Sequence, residues 1–348
     1  MISKRFYSLI LLFFLMAWPS LLTGMAAGDS FEEIDEHAKS APFSVSRNLE
    51  KLTEYLIEPA ENDMEKVRSF YIWITGHVKY DLNAYLSGGH GSLEPEDVLR
   101  TKDAVCQGYS QLFKAMCDQA GIQAFLISGY SKGYGYRANN EIKEPDHAWN
   151  IVNIDGRWEL IDATWGSGYV NEKNKYVTSY NESFFLSNPE TFIYTHLPEA
   201  PMWQLLDCPI SLETFKKDSS QIKKTIAASE PCYSYEDSIA RYIEIPDREK
   251  QLYRAKKAYR FNPDNSISLG FAYLNHSQHY FNQAQEAQKQ NNYKQFYEML
   301  GQVLTYNQQA LKFLRQSNSP NARQAISAAR NNIKSAKDGR NWYEKNFK

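Results

Sequence analysis

The chain has 348 residues, with 39 Lys and Arg against 41 Asp and Glu for a net charge of −2, and 4 cysteines. Roughly 320 residues follow a signal-like leader, more than one hydrophobic core usually organises, so at least two domains are expected. The near-neutral total conceals two parts of opposite sign: residues 248–348 carry 17 basic against 6 acidic side chains, a net of +11, and the preceding 247 carry −13. With no basic-aromatic motif to accompany the charge, nucleic acid is excluded as a partner.

Residues 1–27 hold Lys4 and Arg5, an apolar run from Leu9 to Trp18, a Pro19 break and small residues up to Ala27. That order is the pattern of a cleaved secretory signal, and the apolar run is too short for a comfortable membrane span. The expectation is export from a bacterial cell, most simply to a Gram-negative periplasm, with no stable membrane span after cleavage. A helical lead-in over 28–64 follows, with Leu49, Leu52, Tyr55 and Leu56 spaced for one buried face.

Residues 65–210 form the expected first domain. Pro95, Glu96 and Asp97 open a short helix, and Val105, Tyr109, Leu112, Phe113 and Met116 have helical spacing up to Gly121. Cys106 therefore sits in the first turn of a helix, where unpaired N–H groups and the positive dipole end stabilise an anion. A long tyrosine-rich loop from Gly129 to Asp146 follows, and it is expected to rim a cleft through Tyr130, Tyr134 and Tyr136. Residues 147–154 and 157–164 are rich in β-formers and flank Asp155-Gly156, a signal for a two-residue type I′ hairpin turn. If that turn sets the register, Ile154 faces Arg157 and Trp149 lies opposite Asp162. His147 then leaves the same face as Asp162, within reach of its carboxylate as a diagonal cross-strand neighbour. A thiol, an imidazole and a carboxylate in this order are the residue types that thiol acyl transfer uses: nucleophile, base and orienting group.

The segments Phe70-Tyr-Ile-Trp73, Val105-Cys106-Gln-Gly108-Tyr109, His147-Ala-Trp149 and Asp162-Ala-Thr-Trp165-Gly166 resemble the transglutaminase-like superfamily. They are most similar to its bacterial branch related to kyphoscoliosis-type peptidases. The resemblance covers about a third of the chain, near residues 65–170. It implies an α+β, papain-related core in which a helix-borne Cys packs on an antiparallel sheet. Cys106 would be nucleophile, His147 base and Asp162 orienting acid, with Trp73 at the position that assists the oxyanion in many members and Trp149 beside the substrate. It also implies protein or peptide amides as substrates. The superfamily includes protein cross-linkers, peptidases, glycan-removing amidases and members without catalysis, so membership leaves the acceptor open. The alternative to an enzyme is thus a catalytically silent scaffold or binding module in the cell envelope.

Residues 211–247 are expected to be a linker. Cys106 and Cys117 on one helix stand too far apart to bond, so Cys208 and Cys232 are either a disulfide or two free thiols. In residues 248–348 the apolar positions Phe296, Leu300, Val303, Leu304, Leu311 and Leu314 step by three and four, and Ala258 to Tyr273 resembles a junction between tetratricopeptide repeats without a second copy. An all-α bundle of three or four helices is expected, docked on the acidic first domain or holding an anionic envelope partner. His276 and His279 have no nearby third ligand and read as a solvated helix face, while His37, His77, His90 and His196 have no partner that the sequence names. No metal and no cofactor are expected.

Overall fold

The structure is a computed structural model that describes residues 31–89, 91–137, 142 and 144–347. The signal-like segment 1–27, His90 and part of the loop before Asp146 lie outside the described residues. Helices α1 (Glu32–Lys39) and α2 (Leu49–Ile57) form the lead-in, and Asn48 caps the second by accepting from Lys51 N–H. Both pack on α3 (Asp63–His77), in which every residue from Val67 to Thr75 is buried. Arg68 of α3 grips Asp35 of α1 through two bonds of 2.7 Å and also reaches Glu182 at 2.6 Å. Ala38, Leu52 and Leu56 share one core with Phe70, Trp73 and Phe113. The lead-in is therefore built into the first domain instead of preceding it.

Next come β1 (Lys79–Tyr80), α4 (Leu82–Ser87), α5 (Pro95–Thr101), β2 (Asp103–Ala104) and α6 (Cys106–Gln119). The two short strands pair in parallel, Tyr80 opposite Ala104, which sets Tyr80 beside the segment entering α6. α6 buries Tyr109, Leu112, Phe113 and Met116 as its spacing predicts. Gly108 is required at its first turn: a Cβ there would lie 2.2 Å from the Ser92 carbonyl oxygen.

The central sheet holds β3 (Ala124–Ser131), β4 (His147–Ile154) and β5 (Arg157–Ile161). Beyond it lie α7 (Ala163–Ser167), the small pair β6 (Gly168–Val170) and β7 (Tyr176–Thr178), α8 (Pro189–Phe192) and the edge strand β8 (His196–Pro198). The sheet order is β5-β4-β3-β8, antiparallel throughout. Asp155 and Gly156 take φ of 52° and 81°, both positive as a type I′ turn demands, and Ile154 pairs with Arg157. The second strand is shorter than expected. It stops at Ile161 because the Asp162 carboxylate caps α7, accepting from Thr164 N–H and Trp165 N–H. One sheet face, through Val152 and Ile154, meets α3 and α6; the other, through Trp149 and Ile151, meets Trp203, Ile239 and Tyr242. The core is thus α+β with the Cys-bearing helix against an antiparallel sheet.

Residues 211–247, expected to be a linker, are instead structured as α9 (Leu212–Phe215), α10 (Ser219–Ala227) and α11 (Tyr235–Ile243). Phe215, Ile222, Ile239 and Tyr242 are buried apolar anchors, which is why this stretch folds onto the first domain. Cys208 and Cys232 form a disulfide, while Cys106 and Cys117 are free. The four helices α12 (Asp247–Phe261), α13 (Ser266–Lys289), α14 (Tyr293–Leu314) and α15 (Pro320–Phe347) make the basic bundle. His276, expected on a solvated face, is buried with its ring 4.6 Å from that of Tyr306. The bundle docks through Arg254 to the Leu126 carbonyl (3.0 Å), Asn262 to the Tyr130 hydroxyl (3.0 Å) and Ser268 to Glu199 (2.6 Å). Among the described residues no ion pair crosses from residues 31–246 to the bundle. Among the described residues docking therefore rests on hydrogen bonds and packing, with no direct contact between the opposite charges of the two parts.

Candidate active site

The register of β4 and β5 brings His147 and Asp162 together. His147 Nε2–H donates to Asp162 Oδ2 at 2.7 Å, with both groups buried. Since Asp162 takes Nε2, Nδ1 is the ring nitrogen left to serve a thiol, and the Cys106 side chain is among the groups that act on His147. Cys106 itself is half-buried at the first position of α6 with Val105 as the preceding cap residue, so its backbone N–H has no acceptor within the helix.

A fourth residue completes the group, and sequence reasoning missed it. His196 Nε2–H donates to the same Asp162 oxygen at 3.1 Å, while its Nδ1 lies 2.8 Å from the Thr195 hydroxyl. No motif links His196 to the others. Its one sequence signal is a short apolar run closed by Pro198, which fits an edge strand. Asp162 thus accepts four hydrogen bonds, the two imidazoles on Oδ2 and the α7 N–H groups on Oδ1 at 2.8 and 3.0 Å. Ligand atoms of His147, Asp162 and His196 lie within 4.8 Å of one another, close enough to suit a cation, but these hydrogen bonds account for each of them.

The carboxylate also sorts the two histidines. Burial opposes charge on His147, but the charge of Asp162, their hydrogen bond and the Cys106 contact overcome it and raise the imidazole well above its ordinary range. Burial would raise Asp162, yet its histidine partners hold the carboxyl far below its usual range. His196 goes the other way. Burial, with the charge of His147 adding to it, pushes it down to about 4. The carboxylate therefore holds one imidazolium, while burial and the charge of that imidazolium keep the second ring neutral against the pull of the carboxylate.

This sorting has a consequence for stability. His196, depressed when folded, contributes stability that is present above its unfolded value of about 6.5 and lost as pH falls toward about 4. His147, raised when folded, contributes stability that is present below about 6.5 and lost as pH climbs through its folded value. The cluster should stabilise the fold most near pH 6.5. In thermal melts His196→Gln should flatten the acid limb between pH 6.5 and 4, by an amount on the order of a few kcal/mol. Parallel acid limbs in the two proteins would mean that His196 is not held neutral.

The cluster opens into a cleft of about 360 Å³ lined by His147, Asp146, Trp165, Tyr80, Tyr85 and Tyr134. Trp165 packs its ring 4.3 Å from His196 and 5.5 Å from His147, roofing the imidazoles. Of the expected rim residues, Tyr134 lines this cleft and Tyr136 a groove continuous with it. Three others lie elsewhere. Tyr130 is 1% exposed and hydrogen-bonded to the helical bundle, because its side chain leaves β3 on the side that α12 covers. Trp149 is also 1% exposed; it packs behind the cluster, 5.3 Å from His196, and supports the imidazoles from the core. Trp73 is fully buried between His77 and the Lys102 ammonium, away from the cleft lining, as its apolar helical position requires.

Comparison with known proteins agrees with this architecture. The Transglutaminase-like superfamily model matches residues 50–163, which contain Cys106, His147 and Asp162. The chain carries a transglutaminase-like core. Kyphoscoliosis peptidase of Mus musculus is 42% identical over 188 residues, and that of Homo sapiens 41% over 190. The matches take in 53% and 54% of this chain but only 28% of either relative, so the chain spans little more than a quarter of their length. A crystal structure of a TGase is 21% identical with a TM-score of 0.29 over 41% of this chain and 34% of that one. The transglutaminase-like core of this chain continues past the matched residues, because His196 lies 33 positions beyond residue 163 and bonds to Asp162.

Proposed function

We propose that the protein is an exported thiol acyl-transfer enzyme, a cysteine peptidase or transglutaminase acting on protein or peptide amides. The observation that supports this is the buried hydrogen bond from His147 to Asp162 at 2.7 Å, with Cys106 at the first position of α6 and its side chain among the groups that raise His147. In the proposed cycle the Cys106 thiol gives its proton to His147 as its sulfur attacks the amide carbonyl carbon. The oxyanion that forms is met by the Cys106 backbone N–H at the start of α6. The C–N bond then breaks as His147 gives its proton to the departing amine, leaving a thioester on Cys106. Water or a second amine attacks the thioester, His147 takes its proton, and the thiol is released; water completes hydrolysis and an amine completes transfer.

The disulfide between Cys208 and Cys232 supports an oxidising compartment, hence export, and in such a compartment Cys106 needs its cleft or a reducing partner to stay reduced. No helix among the described residues is long and apolar enough to cross a membrane. An anionic envelope partner on the basic surface of the bundle belongs to the same proposal, and its binding would weaken steeply with salt.

Alkylation by iodoacetamide tests the site. In the folded protein Cys106 should react, and more slowly once His147→Ala removes the cation. Cys117, fully buried and with its thiol pushed well up by burial, should stay unmodified. A Cys106 that resists alkylation in the intact fold would make the domain a silent scaffold.

A further inference from the structure

The cleft beside His147 holds an acidic group that the acyl-transfer chemistry does not use. Asp146 immediately precedes His147, lines both the cleft and the groove that continues from it, and is exposed to them. Its Oδ1 accepts from Ser131 N–H at 2.7 Å, and its own N–H donates to the Gly129 carbonyl at 3.0 Å. The adjacent His147 ring favours its ionised form, and the nearby lysine and arginine side chains are engaged elsewhere. Lys132 donates to the Lys217 carbonyl at 2.6 Å and sits over the Phe215 ring, Arg137 donates to the Tyr136 carbonyl, and Lys216 pairs with Glu213.

Tyrosine rings stand around this carboxylate. Tyr80 and Tyr85 have centroids 6.0 Å apart, and Tyr85 and Tyr134 are 6.2 Å apart, so three rings form a continuous wall of the cleft. Tyr80, Tyr85, Tyr134 and Asp146 all line the same cleft as His147. Tyr85 and Tyr134 are 38% and 40% exposed, their faces open to a ligand. Aromatic faces and an exposed carboxylate together attract a cation, and a planar guanidinium satisfies both, stacking on the rings while its N–H groups meet the oxygen.

We propose that Asp146, Tyr80, Tyr85 and Tyr134 form a subsite for an arginine side chain of a peptide substrate lying across Cys106. The proposal rests on the acyl-transfer reading for its substrate, but its test needs no chemistry. The full chain carrying Cys106→Ala is titrated into fluorescein-labelled Ala-Ala-Arg-Ala-Ala and into the same peptide with citrulline, which keeps the shape and removes the charge. Anisotropy should show the arginine peptide binding about tenfold more tightly, as one charge-assisted hydrogen bond and one cation–π contact allow. Asp146→Asn should erase that preference, since asparagine still accepts from Ser131 N–H and only the charge is lost. Tyr85→Leu should weaken the arginine peptide several-fold and leave the citrulline peptide nearly unchanged. Equal binding of the two peptides, or a preference that survives Asp146→Asn, overturns the subsite. An arginine preference in a protein that never forms a thioester upholds the subsite and sinks acyl transfer; thioester formation without that preference does the reverse.

Discussion

Asp162→Asn should lower turnover by about three to four orders of magnitude. The carboxylate accepts from four donors, two imidazole N–H groups and two backbone N–H groups. An asparagine offers one oxygen and an amide that donates. If its oxygen stays on Thr164 N–H and Trp165 N–H, its NH2 faces two imidazole nitrogens that must now accept. The His147 proton then moves to Nδ1, the nitrogen left to serve the thiol, which can no longer receive the thiol proton. The charge that sustains the imidazolium is lost as well. Stability should also fall, by about 1–3 kcal/mol, because buried charge-assisted bonds are replaced by mismatched neutral ones. Steady-state kinetics on protein whose circular dichroism shows the native fold separates the two effects. Unaltered turnover there would mean that another group orients His147.

Much of this site is legible in the chain because local rules fix it. Asp155-Gly156 sets the hairpin register through a turn that needs two positive φ values, and the register alone carries His147 to Asp162. Helical spacing places Cys106 at the start of α6. What sequence reasoning misses depends on tertiary contacts. His196 reaches Asp162 from 34 positions away on a three-residue edge strand, too short to show a period. Asp162 ends its strand early because the same carboxylate that holds the histidines also caps α7. Tyr130, Trp149 and Trp73 are aromatic residues near the motif, and the residue type does not say whether a ring faces a cleft or a core. Residues 211–247 look like a polar linker because their anchors, Phe215, Ile222 and Tyr242, are spread thinly over three short helices. The charge split between the two parts is real, yet the interface uses Asn262, Arg254 and Ser268 bonding to neutral and acidic acceptors, contacts that net charge does not specify.

Cys106→Ala should abolish acyl transfer outright, since no other group in the cluster is a nucleophile of this kind: Cys117 is buried in the core and the remaining two cysteines are bonded to each other. The loss exceeds that of Asp162→Asn, which leaves a thiol and an imidazole in contact. The covalent intermediate itself is the most direct test. Exposure of the native protein to p-nitrophenyl acetate, followed by acid quench and peptide mapping by mass spectrometry, should find one acetyl group on Cys106. About one equivalent of nitrophenolate should be released in a burst, and both signals should vanish in Cys106→Ala. A burst that persists in Cys106→Ala, or a native protein that acquires no acetyl group at residue 106, would contradict the account.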